Sequence, residues 1–251
     1  MKIFLFLGMV LAAAGAGVAR AGELRFASGT ARTALIELYT SEGCSSCPPA
    51  ERWLGTLRGQ PGLWRAFVPV AFHVHYWDRL GWPDRFASRE FTQRQYEIAA
   101  AWGRGSVYTP CFVRNGEEWH ASPDLRPVGD AAVGPMVVVL DEHDHCRVEF
   151  APAAGAANRA AYEVHVAWLG GGVTSRVTAG ENRGETLRHE FVALALTSHE
   201  LAAATGGSGL RAEFPLPRPA GVEAPRLALA AWITRRGELA AVQATGGWVK
   251  E

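Results

Sequence analysis

Two cysteines three positions apart, Cys44-Ser45-Ser46-Cys47, stand between a short apolar run and a helical pattern, and this placement constrains the chain more than any other feature. Residues 34–39 read ALIELY, the mostly apolar run that a buried parallel strand needs. Thr40 to Gly43 break it. Residues 50–57 then place Trp53, Leu54 and Leu57 on one face of a helix. A CxxC after a strand and before a helix, inside a βαβ pattern, is a redox signature. The spacing lets the two sulfurs bond, and the positive end of the helix dipole favours a thiolate. On this reading Cys44 is the exposed nucleophile and Cys47 resolves the mixed disulfide. An inert structural disulfide is the competing reading; zinc has less support, since no matching second pair follows. Pro48-Pro49 fit only a first turn, so either Cys47 caps the helix or that turn is distorted.

Further along, residues 67–74 predict a second apolar strand, and 88–102 a helix capped by Ser88. Residues 107–113 and 117–120 flank Asn115-Gly116, a strong hairpin signal, and 124–133 give a weak final helix. From residue 134 the texture changes. Runs at 136–140, 147–150, 162–169, 186–196, 211–214 and 226–234 have strand lengths with Gly, Pro and Asn between them, while 199–204 predict one helical turn. The expectation is an α/β thioredoxin-like domain over residues 30–133, followed by a smaller antiparallel β-rich, sandwich-like domain over residues 134–251.

The N-terminus sets the expected compartment. Lys2, an apolar run over residues 3–14 and the small-x-small sequence Ala19-Arg20-Ala21 predict a signal peptide over residues 1–21. The mature chain is then exported, periplasmic or secreted, with no stable membrane insertion after cleavage. Lys+Arg and Asp+Glu balance at 25 each, which argues against a nucleic-acid partner.

Other residues gather at the same predicted sheet edge. Thr109-Pro110 opens a strand whose start lies near the CxxC if that strand is antiparallel; resemblance to thioredoxin-like folds, which place a cis-proline loop there, implies that Pro110 is a cis proline facing the cysteines, with a trans proline on an edge strand as the alternative. His73, His75 and Asp78 close the second strand near Cys44. A proton-shuttling or metal role competes there with satisfied structural histidines, which are favoured. The tract of residues 141–146, DEHDHC, reads as a solvated turn rather than a metal site.

The run Leu38-Tyr39-Thr40-Ser41-Glu42-Gly43-Cys44-Ser45-Ser46-Cys47-Pro48-Pro49-Ala50 resembles the hallmark of a secreted thioredoxin-like family called domain of unknown function 1223. Tyr76-Trp77-Asp78 with Leu80-Gly81-Trp82, Val107-Tyr108-Thr109-Pro110, and Gly180-Glu181-Asn182 with Gly184 and Leu187 are similar to its other motifs. The resemblance covers nearly all of the mature chain. It implies a thioredoxin-like domain with a β-rich extension and no proven activity. Two positions depart from the family, where an Asp commonly stands at His75 and a Gln at Cys111.

The functional expectation is a thiol–disulfide oxidoreductase using Cys44 and Cys47, with Pro110 at the catalytic site and Thr109, Cys111, His73, His75 and Asp78 as auxiliaries. Its partners would be protein or small-molecule thiols and disulfides together with an unidentified redox partner, and no cofactor or metal is expected. The alternative is a non-catalytic binding or structural module with a permanent Cys44–Cys47 disulfide. For Cys111 three readings stay open: a disulfide to Cys146, an auxiliary redox thiol, or unpaired burial.

Overall fold

The computed structural model describes residues 22–121, 125, 132–154, 161–205 and 209–251. The expected signal peptide and nearly all of the expected 124–133 helix lie outside them. In chain order the elements are β1 Leu24–Ala27, β2 Ala34–Thr40, α1 Cys47–Thr56, β3 Phe67–His73, α2 Arg89–Ala101, β4 Cys111–Arg114 and β5 Glu117–Glu118. Then follow β6 Met136–Leu140, β7 His145–Phe150, β8 Tyr162–Gly171, β9 Val173–Arg176, β10 Thr186–His189, β11 Val192–Ala203, β12 Leu210–Pro215, β13 Arg226–Arg235 and β14 Ala241–Lys250.

Local signals shape residues 34–118. β2 and β3 pair in parallel across α1, every residue of both being buried, as their continuous apolar runs require. α1 begins at Cys47, and its two prolines occupy the first turn, where no N–H partner is lost. Ser88 caps α2 by accepting from the Phe91 N–H at 3.0 Å. β4 pairs antiparallel with β2 and turns into β5 through Asn115 and Gly116, both at positive φ (51° and 86°), the backbone a tight hairpin demands.

These elements do not form a self-contained α/β domain, and the expectation of a thioredoxin-like fold with a small separate sandwich is corrected here. The molecule is mostly β-strand, and twelve of its strands belong to one mixed sheet. β11 is the cause. Its first residue, Val192, pairs in parallel with Ala71 of β3, its length pairs with β8, and its last residues pair with β12. The sheet therefore continues from β3 through β11 to β8, β13 and β14, and through β12 to β7, β6 and β1. The helical turn expected at 199–204 is instead the end of β11, because pairing with β8 up to Leu201 and then with β12 overrides a weak local preference.

The period of two along β8 and β13 divides the interior. Ala167, Leu169, Ala228, Ala230 and Trp232 join a cluster with β2, β3 and α1. Val164, Val166, Trp168, Leu229, Ala231 and Ile233 join another with β6, β7 and β12. Cys111 belongs to the first cluster and Cys146 to the second; both are buried and unpaired. A Cys111–Cys146 bridge is thus absent, since the two thiols serve different cores.

Candidate functional site

Parallel strands end on one edge, so β2 and β3 deliver Thr40 and His73 side by side, and antiparallel β4 begins there with Cys111 opposite Tyr39. From this edge the chain passes into Ser41–Gly43 and then into the cysteine pair. Cys44 and Cys47 form a disulfide with a Cα–Cα distance of 5.4 Å. Cys47 is the first residue of α1, and its N–H donates to the Cys44 carbonyl at 3.2 Å. The Cys44 Sγ lies 3.3 Å from the Ser46 Oγ.

The expectation that Cys44 is the exposed member fails, because both cysteines are 0% exposed. A loop from the far half of the chain covers them. Asn182 Nδ2 donates to the carbonyls of Glu42 (2.8 Å) and Cys44 (2.9 Å), while the Glu181 carboxylate accepts from the Ser45 N–H (3.0 Å) and hydroxyl (2.8 Å). These Ser45 hydrogen bonds hold the exposed Glu181 carboxyl below its usual range. Ser45 and Ser46 stay exposed while the sulfurs are shielded.

The remaining expected residues fall into two groups. Thr109–Pro110 is a cis peptide. The Trp77 indole N–H donates to Thr109 Oγ1 at 2.8 Å, and Trp77 packs so closely on Gly43 that a Cβ there would meet its Cβ at 3.0 Å. Trp77 thus ties the Thr109–Pro110 turn to the residue preceding Cys44. His75 binds the Thr92 hydroxyl through its backbone N–H (3.1 Å) and Nδ1 (2.7 Å), and Asp78 Oδ1 accepts from the Asp84 N–H at 3.2 Å. These two residues anchor the segment after β3. The 141–146 tract forms the turn from β6 into the start of β7, with Asp141 Oδ1 accepting from the N–H groups of His143 and His145 at 2.9 Å each.

His73 belongs to a buried cluster that sequence reasoning missed. Its Nδ1 faces Asp84 Oδ2 at 2.7 Å, and Asp84 also accepts the N–H groups of Glu42 (2.8 Å) and Phe86 (3.0 Å). Burial alone would raise the Asp84 pKa, yet the charge and hydrogen bond of His73 and these N–H donors lower it. Burial works against a charged His73 as well, and the charge and hydrogen bond of Asp84 outweigh it, so its pKa rises. Next to His73, with ring centroids 5.2 Å apart, His189 is held between two carboxylates. Its Nε2 lies 3.0 Å from Glu42 Oε1, and its Nδ1 bonds Glu51 Oε2. Burial depresses the His189 pKa, but the hydrogen bonds to Glu42 and Glu51 and then their charges push it up to about 10. Glu51 moves oppositely: burial would raise it, and the bond to and charge of His189 bring it down. Thr40 Oγ1 donates to Glu51 Oε1 (2.7 Å) and Trp82 Nε1 to Glu42 Oε2 (2.8 Å). Glu51 stands four residues after Cys47, on the same face of α1, which was the one available signal for it.

The free thiols lack the features of reactive cysteines. Burial pushes Cys111 up to about 11, against a hydrogen bond from Tyr108, and burial pushes Cys146 up to about 12.

No curated protein matches this chain. Among solved structures it is similar to the Agrobacterium tumefaciens protein AGR_C_4864, with 26% identity and a TM-score of 0.61 over 86% of this chain and 94% of that one. HBP35 of Porphyromonas gingivalis shares the fold at 13% identity and a TM-score of 0.58, over 88% of this chain and 76% of that one. The model of a family described as protein of unknown function (DUF1223) matches residues 35–234, most of the chain, including the cysteine pair, the Trp82 segment, the Glu181–Asn182 loop and His189. The chain belongs to that family.

Proposed function

We propose that the protein exchanges its Cys44–Cys47 disulfide with the thiols of a protein or small molecule. The observation that carries this reading is where the bond lies: it links residues only three apart at the start of α1. As a staple it has little to hold, since closing so short a loop contributes about 2 kcal/mol in the chain-entropy description, less than half the value for a 100-residue loop. As an exchange site it is well placed. A partner thiolate attacks Cys44 Sγ, the S–S bond breaks, and Cys47 leaves as a thiolate at the positive end of a helix. A second partner thiolate then attacks the partner's own sulfur in the mixed disulfide. Cys44 leaves, both protein thiolates take up protons, and two partner thiols have become one disulfide. Pro48 and Pro49 offer no N–H, so the first turn stabilises the leaving thiolate chiefly through the dipole. The site is expected to act outside the cytoplasm, consistent with a stable disulfide and the N-terminal sequence.

Burial of both sulfurs favours the second reading, a permanent disulfide, and titration separates the two. Equilibration with thiol buffers is expected to give a potential between about −120 and −270 mV; a value below about −300 mV marks a structural bond. In the exchange reading the Asn182 loop sets access. Asn182→Ala then accelerates reduction of the folded protein roughly tenfold, the effect of about 1.4 kcal/mol less closure energy. An unchanged rate would remove the loop from the scheme.

A further inference from the structure

The exchange chemistry leaves the polar cluster behind the disulfide unused. We infer that Glu51, His73 and His189 form a site for a divalent transition-metal ion of the zinc class, with Glu42 behind His189 as its outer carboxylate. Each of the three offers a ligand atom, and these atoms all lie within 4.8 Å of one another. Zinc bonds of about 2.0–2.2 Å bring tetrahedral ligands to within about 3.5 Å, so modest side-chain closure suffices.

The second observation is an orphan. His73 is 0% exposed, Asp84 holds its Nδ1, and its Nε2 has no hydrogen-bond partner. Buried polar atoms are almost always satisfied, and one left bare calls for an explanation. An imidazole with one nitrogen on a carboxylate and the other free has the arrangement of a metal-ligating histidine with its outer-shell acid. The other donors are braced likewise, Glu51 by Thr40 and His189 by Glu42 at its Nε2. The hydrogen-bonded set contains three carboxylates, Glu42, Glu51 and Asp84, and no Lys or Arg, so once both histidines ligate as neutral imidazoles a dication supplies the positive charge the set needs. Imidazole and carboxylate together match zinc better than calcium or magnesium. Ligation by His189 releases the proton it shares with a carboxylate. A cleft of 140 Å³ lined by Pro48, Glu51, Arg52, Thr186, Leu187 and Arg188 reaches the cluster at Glu51.

The test is a zinc titration of full-length, chelator-treated, disulfide-bonded protein against a chromophoric competitor. One equivalent is expected to bind. Asp84→Asn is expected to weaken binding roughly 10–100-fold and His73→Gln further still, while His143→Gln, altered in the exposed 141–146 turn, binds as the parent does. No binding by the folded parent, or parental affinity in folded His73→Gln, overturns the site. Should that variant not fold, anomalous diffraction at the zinc edge from parent crystals decides. A peak among Glu51, His73 and His189 supports the site; a peak elsewhere, or none, refutes it.

Discussion

The two interiors on either side of β8 and β13 are built on different principles. The cluster around Val138, Val148 and Val166 is closed by apolar side chains, with the Cys146 thiol buried among them. The opposite side, against β2, β3, α1 and α2, carries every buried charged or histidine side chain among the described residues: Glu37, Glu42, Glu51, His73, Asp84, Arg94 and His189. Glu37 and Arg94 form a bidentate pair at 2.8 and 3.0 Å, Tyr39 donates to Glu37 at 2.7 Å, and the guanidinium lies over Phe72 and Trp232. Burying charge raises the cost of any imperfect partner, whereas an apolar core tolerates local adjustment. The contrast teaches that the polar side is held by specific charge pairs and the apolar side by close packing.

The sharpest way to break this contrast is to strand a charge. Arg94→Met is expected to lose about 3–5 kcal/mol in denaturant unfolding, because Glu37 is left buried and unpaired. Adding Glu37→Leu should restore most of it; a double variant as unstable as the single one would mean that the pair is not the source of the cost. On the apolar side no second substitution rescues the first. Leu140→Ala is expected to cost about 2–5 kcal/mol, rising with the cavity left behind, and a loss under about 1 kcal/mol would show that this interior collapses around the gap.

The smallest effect tests the boundary. His165 stacks on Trp232 and bonds the hydroxyls of Ser198 (2.7 Å) and Thr234 (3.0 Å), with Glu163, Arg94 and Glu238 around it. Burial, helped by the Arg94 charge, lowers its pKa to about 3. A depressed pKa stabilises the fold fully above the unfolded value of about 6.5, and that contribution is lost as pH falls toward 3. His165→Gln should therefore flatten the fall in stability between pH 6.5 and 4.5; identical profiles would show that folding leaves the His165 pKa unchanged.

Strong short-range patterns made much of this legible. The apolar runs of β2, β3 and β6, the Ser88 cap and the Asn115-Gly116 hairpin all follow from neighbouring residues, while the cis Thr109–Pro110 bond was expected from a resemblance in motif. The sheet's continuity does not, since nothing local tells β11 to join β3. β14 was missed because Gly246-Gly247 weaken a strand pattern. Those glycines exist for contact, as a Cβ would press on Trp64 at 2.6 Å and on Phe26 at 2.3 Å. The cysteine pair was visible as a motif, whereas its polar backing was not. Glu51 and His189 meet across 138 residues, and in sequence each reads as an ordinary polar side chain.

The shared wall of β8 and β13 also decides what a break in the chain can do. Its two faces serve both interiors, β11 bonds to β3, and β14 packs against β2 and β3. Cleaving the backbone between residues 121 and 132 therefore releases no fragment, and the nicked protein migrates as one body until it is denatured. Neither half is expected to fold alone, so the cysteine pair depends on the far half of the chain for the loop that covers it.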